Sequence, residues 1–201
     1  YIFLFKIMKE YLTEWRKFLI ENKGPKLLDV PDIRQFNEYS CGSACLLAVL
    51  AFYDLYDKNE KELTKELNTN SEDGTSLKAI KRVAEKHGLN CSVRKDCDLE
   101  ELKDSLEAGN PVILNFQAWS KEKEPNWKKD WKDGHYAVLV GMDDENLYMR
   151  DPSIYNKVGT LPVKEFMDRW HDKGKGTDKL YNVAIFFSGE EESEQEFEKI
   201  K

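Results

Sequence analysis

The chain has 201 residues, 34% of them charged and 12% aromatic, with a formal net charge of −7. The length fits one domain with an appended arm, and the aromatic content is core-forming material that excludes global disorder. The negative balance argues against nucleic acid or an anionic membrane surface as the main partner, and no apolar run approaches the ~20 residues of a membrane span.

Residues 1–23 carry Leu4, Met8, Tyr11, Leu12, Trp15, Phe18 and Leu19 at i, i+3, i+4, i+7 spacing, with charged residues between them. That period predicts an amphipathic helical arm over 1–26, ended by Gly24-Pro25, whose apolar stripe packs on the same chain or on a partner. Residues 26–40 predict an extended, polar loop. Residues 41–56 are apolar on nearly every face, the pattern of a central buried helix, and Ser40 stands where an N-cap belongs. A more polar helix is predicted around 60–68. A third, with Leu77, Ile80, Val83 and Ala84 on one face, is capped by Thr75 or Ser76 and ends at His87-Gly88. Leu89 to Val93 predicts a short strand, and Asp98 caps a helix over Leu99 to Ala108.

The second half predicts strands. They are Pro111 to Phe116, His135 to Val140, Leu147 to Arg150 after a turn at 143–146, and Tyr181 to Phe187. Between them lie an irregular Trp-rich stretch, 117–134, and a short helix from Val163 to Trp170. The Glu-rich residues 189–201 predict a frayed tail. Helices first and an antiparallel sheet afterwards is an α+β order, with 27–188 as the body.

Four cysteines are present: Cys41, Cys45, Cys91 and Cys97. Their C-x3-C and C-x5-C spacings do not suit structural zinc, and the apolar run Tyr1 to Phe5 is broken by Lys6, unlike a secretory signal. The expectation is a cytoplasmic protein with reduced cysteines, no metal and no cofactor. Cys41 opens the buried helix, where free N–H groups and the helix dipole favour a thiolate. Gly42 and Ala44 leave room there for a substrate backbone. Cys45, one turn inside, reads as a buried small hydrophobe, and that reading also remains open for Cys41 alone.

A thiol nucleophile needs a base. His87 and His171 each read as a helix-end residue, whereas His135 opens a buried strand at the sheet's rim. Asp151, at the end of the next strand, is the group to orient His135. A tight turn centred on 144–145 would, however, place it on the opposite face, so a bulge near Gly141 is required. Otherwise Asp151 is a turn-forming Asp-Pro residue. Gln35, six residues before Cys41, carries an amide able to share an oxyanion with the Cys41 backbone N–H.

The order Gln35, Cys41, His135, Asp151, with the cysteine opening a helix and the histidine opening a strand, resembles the papain-like cysteine peptidases. The local pattern is closer still. Gln35 followed by Cys41-Gly42-Ser43-Ala44-Cys45, then Gly134-His135-Tyr136-Ala137-Val138-Leu139-Val140-Gly141, then Asp151-Pro152, is similar to the bacteriocin-processing, double-glycine leader peptidases and their stand-alone C-thirty-nine-like relatives. The resemblance covers about residues 28–188. It implies a papain-like α+β fold, a helical half and a sheet half with a cleft between them. It implies a cysteine peptidase acting on a peptide or protein substrate through Cys41, His135 and Asp151, with Gln35 in the oxyanion hole. An amidase, a transpeptidase or a non-catalytic peptide-binding module on the same frame are the alternatives. Unlike exporter-fused peptidases, this chain carries no G-x4-G-K-S/T phosphate loop; Gly174-Lys175-Gly176-Thr177 has the wrong spacing. The 117–134 insert either lines the cleft or is a surface excursion pinned by its tryptophans.

Overall fold

The structure is a computed structural model that describes residues 11, 24–57, 59–174 and 178–189. The predicted arm therefore lies outside the described residues except for Tyr11, which is helical and exposed, and the tail lies outside them beyond Gly189.

The most apolar segment forms helix α1, Cys41–Phe52. Helices α2, Glu60–Glu66, and α3, Leu77–Lys86, follow. Their starts are set by side chains that satisfy orphan N–H groups. Asn59 accepts from Glu62, and Ser76 accepts from Ala79. Asp98 starts helix α4, Leu99–Glu107, with a full capping box in which Glu101 answers back. Ser40 departs from the expected cap: it makes no side-chain bond to α1, and its hydroxyl instead pairs with the backbone of Asn37.

Strands β1, Asn90–Arg94; β2, Val112–Gln117; β3, Gly134–Met142; β4, Asn146–Arg150; β5, Gly159–Pro162; and β8, Val183–Ser188 form one antiparallel sheet in the order β1-β8-β2-β3-β4-β5. Helix α5, Val163–Arg169, follows β5. Strands β6, His171–Lys173, and β7, Lys179–Tyr181, make a separate two-stranded ribbon. The sequence reading missed β5 and β6 and ran β7 into β8. Asn182, at φ 45°, breaks that final stretch in two. Residues this few are pinned by their partners rather than by a periodic pattern of their own.

Strand alternation sends the two faces of the sheet into two cores. Ile113, Val138 and Ile185 face α1, α2 and α3 with Leu46, Leu63 and Ile80. Leu114, Leu139 and Ala184 face α4 and α5 with Leu102, Phe166 and Trp170. The helical half thus presents the start of α1 to the sheet end where β2 finishes and β3 begins.

Gly42 does not serve the open approach expected of it. It is buried, and a Cβ there would lie 2.7 Å from the Cβ of Thr75. The first turn of α1 is packed against that threonine. A chain of hydroxyls runs from Ser43 to Thr69 (3.0 Å) and on to Thr75 (2.8 Å), and the Tyr136 hydroxyl donates to the Thr75 carbonyl at 3.1 Å. Gly42→Ala is expected to lower stability by about 1–3 kcal/mol by overpacking this contact. Urea unfolding with an unchanged m-value would register it, and an unaltered midpoint would mean that Thr75 yields freely.

Candidate active site

Cys41 is the first residue of α1 and is partly exposed, whereas the other three cysteines are buried and all four are free thiols. Burial pushes the Cys91 thiol up to about 12 and the Cys97 thiol up to about 11. Cys45 is pushed well above the ordinary range by burial and then by the charges of Cys41, Asp151 and Glu60. Those three thiols are held neutral by burial, whereas Cys41 is partly exposed.

His135 is the second residue of β3, at the rim of the sheet. Its Nε2 lies 2.9 Å from Asp151 Oδ1, which leaves Nδ1 for another partner, and Cys41 is close enough to bear on the ring's protonation. Burial would push this imidazole down, but the bond to Asp151, its charge and the nearby Cys41 outweigh it and raise the histidine to about 9. The ring is set edge-on to Phe116, with centroids 6.0 Å apart.

The register of the hairpin explains how Asp151 arrives there. Met142 pairs with Leu147 and Gly141 with Tyr148, but Leu139 pairs with Met149 and Val138 with Arg150, so the ladder shifts by one residue between Leu139 and Gly141. Val140 is the extra residue. The shift returns Asp151 to the face of His135. Its location follows from the segment that crosses outside: Leu28 N–H donates to the Val140 carbonyl at 2.8 Å, and a Cβ on Gly141 would lie 2.5 Å from Leu27 Cδ2.

Buried amides hold the strand ends behind His135. Asn115 Nδ2 donates to Asp172 at 2.7 Å and to the His135 carbonyl at 3.4 Å. Gln117 Nε2 donates to Asp172 and to the His171 carbonyl, both at 3.0 Å, while its Oε1 accepts from Asp133 N–H at 2.9 Å. Gly134 has no Cβ because the Asp172 carboxylate occupies that space. Asp172 itself is pushed up by burial, against the bonds that lower it.

Gln35 is anchored beside Asp151 through the next loop. Its backbone N–H donates to the Pro152 carbonyl at 3.1 Å, Ser153 Oγ donates to its Oε1 at 3.1 Å, and its Nε2 donates to the Asn37 carbonyl at 2.7 Å. One N–H of the amide is left for another acceptor. Ser153 N–H also donates to Asp151 Oδ1 at 2.8 Å, so Ser153 connects Gln35 to the carboxylate. The sequence reading overlooked Ser153, although Asp-Pro-Ser is the pattern of a turn closed by an aspartate on the residue two further on. It also overlooked Trp119, whose Nε1 donates to Asp151 Oδ2 at 3.1 Å.

The other histidines are structural. His87, at the end of α3, meets Glu66 at 2.8 Å. His171 is not a helix-end residue as expected: it is buried at the start of β6, with Nε2 2.6 Å from the Asp130 carbonyl and its ring against Trp131.

Comparison with known proteins places the chain by family and fold. The profile of the Peptidase_C39 like family matches residues 27–177. The chain is 27% identical over 139 residues to the transport/processing ATP-binding protein ComA of Streptococcus pneumoniae, which is 68% of this chain and 17% of that protein. This chain therefore spans about a sixth of the length of that curated relative. A C39-like peptidase from Bacillus anthracis superimposes with a TM-score of 0.61 at 18% identity, over 85% of this chain and all of that one. The double glycine motif protease of an AMS/PCAT transporter, solved in complex with the leader peptide, superimposes with a TM-score of 0.57 at 21% identity, over 81% of this chain and 96% of that one. These structures share the α+β, papain-like fold, and the chain belongs to the Peptidase_C39 like family.

Proposed function

We propose that the chain is a cysteine peptidase that hydrolyses a peptide bond through Cys41, His135 and Asp151. The observation that carries this reading is the His135 ring, bonded through Nε2 to a buried carboxylate, with the partly exposed Cys41 close enough to raise its affinity for a proton. His135 takes the Cys41 proton, and the thiolate attacks the scissile carbonyl. The developing oxyanion is met by the Cys41 backbone N–H and the remaining N–H of Gln35. The imidazolium gives its proton to the leaving amine. Water then attacks the acyl-enzyme, losing a proton to His135, and the acid is released as the thiol is restored. Asp151 fixes the tautomer that keeps Nδ1 toward sulfur. No step calls on a cofactor.

For the substrate we propose a leader peptide of the double-glycine type. The processing role named for ComA and the leader peptide bound to the AMS/PCAT relative support it. Digestion of an unbiased peptide library, read by mass spectrometry, tests this. Cleavage after paired glycines is the expected result, and cleavage enriched at any other motif rejects the specificity while leaving the peptidase.

Gln35→Ala is expected to lower kcat by about 10²–10³ with KM little changed, because the oxyanion exists only after attack. Pre-steady-state acylation rates measure it. A rise confined to KM would make Gln35 a substrate contact and leave the oxyanion to backbone N–H groups.

A further inference from the structure

We infer that Trp119 is a positioning residue: its indole N–H holds Oδ2 of Asp151 and so keeps the carboxylate in the plane that points its other oxygen at His135. The inference rests on the peptidase reading for its purpose, but its geometry stands by itself. Asp151 is 7% exposed, and its two oxygens are served differently. Oδ1 meets His135 Nε2 at 2.9 Å and Ser153 N–H at 2.8 Å, while Oδ2 receives the Trp119 indole at 3.1 Å. Donors on both oxygens fix the plane of a carboxylate. With Oδ2 unserved, the carboxylate is freer to turn out of the plane that points an oxygen at His135, since that torsion is broad.

The backbone of Trp119 supports the assignment. Among the described residues, the non-glycine positions with positive φ are Asp54, Asn68, Asp96, Asn156, Asn182 and Trp119. Asn and Asp tolerate that region, whereas an aromatic side chain there is strained by roughly 1 kcal/mol or more. Strain of this kind is ordinarily offset by burial, yet the Trp119 side chain is 56% exposed. The other tryptophans of the insert are held by stacking. Arg169 lies 3.6 Å from the Trp127 ring, and Trp131 packs against His171 at 4.4 Å and Tyr181 at 5.5 Å. Trp119 instead sends a polar atom inward to the carboxylate. The chain just before it is fixed, because Ala118 N–H donates to the Asp133 carbonyl at 2.8 Å. The insert is thus pinned at its far end by two tryptophans and delivers the third to Asp151.

The test compares wild type with Trp119→Phe, which keeps a ring and removes the N–H. Titration of the His135 ring by NMR is expected to shift its midpoint down by about one pH unit or more, as the carboxylate turns from the imidazole. Iodoacetamide labelling of Cys41 at pH 6 is expected to slow about tenfold. An unchanged midpoint overturns the inference. So does an upward shift, which would mean that the indole only drains charge from a carboxylate that is already fixed. If wild-type Cys41 labels no faster than free cysteine, the peptidase reading fails, and the His135 titration still decides the role of Trp119. If Trp119→Phe melts at lower temperature, the wild-type indole proton decides: it should lie downfield and follow the His135 titration, and an indole signal that ignores that titration overturns the inference.

Discussion

Cys41→Ala abolishes hydrolysis and removes labelling by an active-site-directed thiol probe, whereas Cys45→Ala keeps most of both; this is the result expected from the placement of the two thiols. They are four residues apart on α1, and each is part of the same sequence motif. Cys41 is partly exposed and close enough to His135 to bear on its protonation, so a proton acceptor and access from solvent coincide near its sulfur. Cys45 lies among Leu46, Leu50 and Ile80 in the core, and burial holds its thiol protonated. Without the Cys41 sulfur there is no covalent intermediate, and the oxyanion donors have no tetrahedral adduct to stabilise. Probe adducts located by peptide mapping distinguish the two positions. Adducts that persist in Cys41→Ala would move the nucleophile elsewhere.

His135→Ala is expected to lower kcat/KM by about 10²–10⁴, the range a positioned acid–base group supplies. Its pH signature is equally specific. The folded histidine is raised from 6.5 to about 9, against burial, by the bonded Asp151 and the nearby Cys41. A raised group contributes stability that is fully present below its unfolded value, near 6.5, and is lost as pH rises through about 9. The gap in melting temperature between wild type and His135→Ala should therefore be widest at pH 6 and narrow steadily toward pH 9. Calorimetry over that window measures it. Turnover should decline above about 9, where the imidazolium that protonates the leaving amine is lost. A gap independent of pH would mean that folding leaves the affinity of His135 for its proton unchanged, and a gap that widens as pH rises would mean that the fold holds a neutral imidazole.

The sequence made the helices legible because their signals are local. Asp98, and Ser76 of the pair Thr75 or Ser76, mark starts that hydrogen bonds then realise. Strands β2 and β3 were legible as long apolar runs. The ribbon of β6 and β7 was not, because His171-Asp172-Lys173 has no periodic pattern and is set by its partners and by the amides of Asn115 and Gln117. At the candidate site the residue types and their order could be read, and parity alone demanded a bulge between His135 and Asp151. What forces that bulge could not be read, since the crossing of Lys26 to Leu28 over Gly141 is a contact distant in sequence. Gly42 was misread for a similar reason: its neighbour Thr75 is more than thirty residues away. Trp119 was invisible because a left-handed backbone at a tryptophan leaves no compositional trace.

The extra residue at Val140 makes the spacing between His135 and Asp151 as informative as their identities. Sixteen positions separate them, and the count works only because one of those positions is absorbed without a cross-strand partner. Deleting Val140 would leave Gln35, Cys41, the histidine and the aspartate all present, in the same order, and would turn the carboxylate to the far side of the sheet. A homologue with that deletion would satisfy every motif search while holding a dismantled constellation. The parity of the hairpin is thus a criterion for sorting active from inactive members among related chains, and it can be read from an alignment before any assay is run.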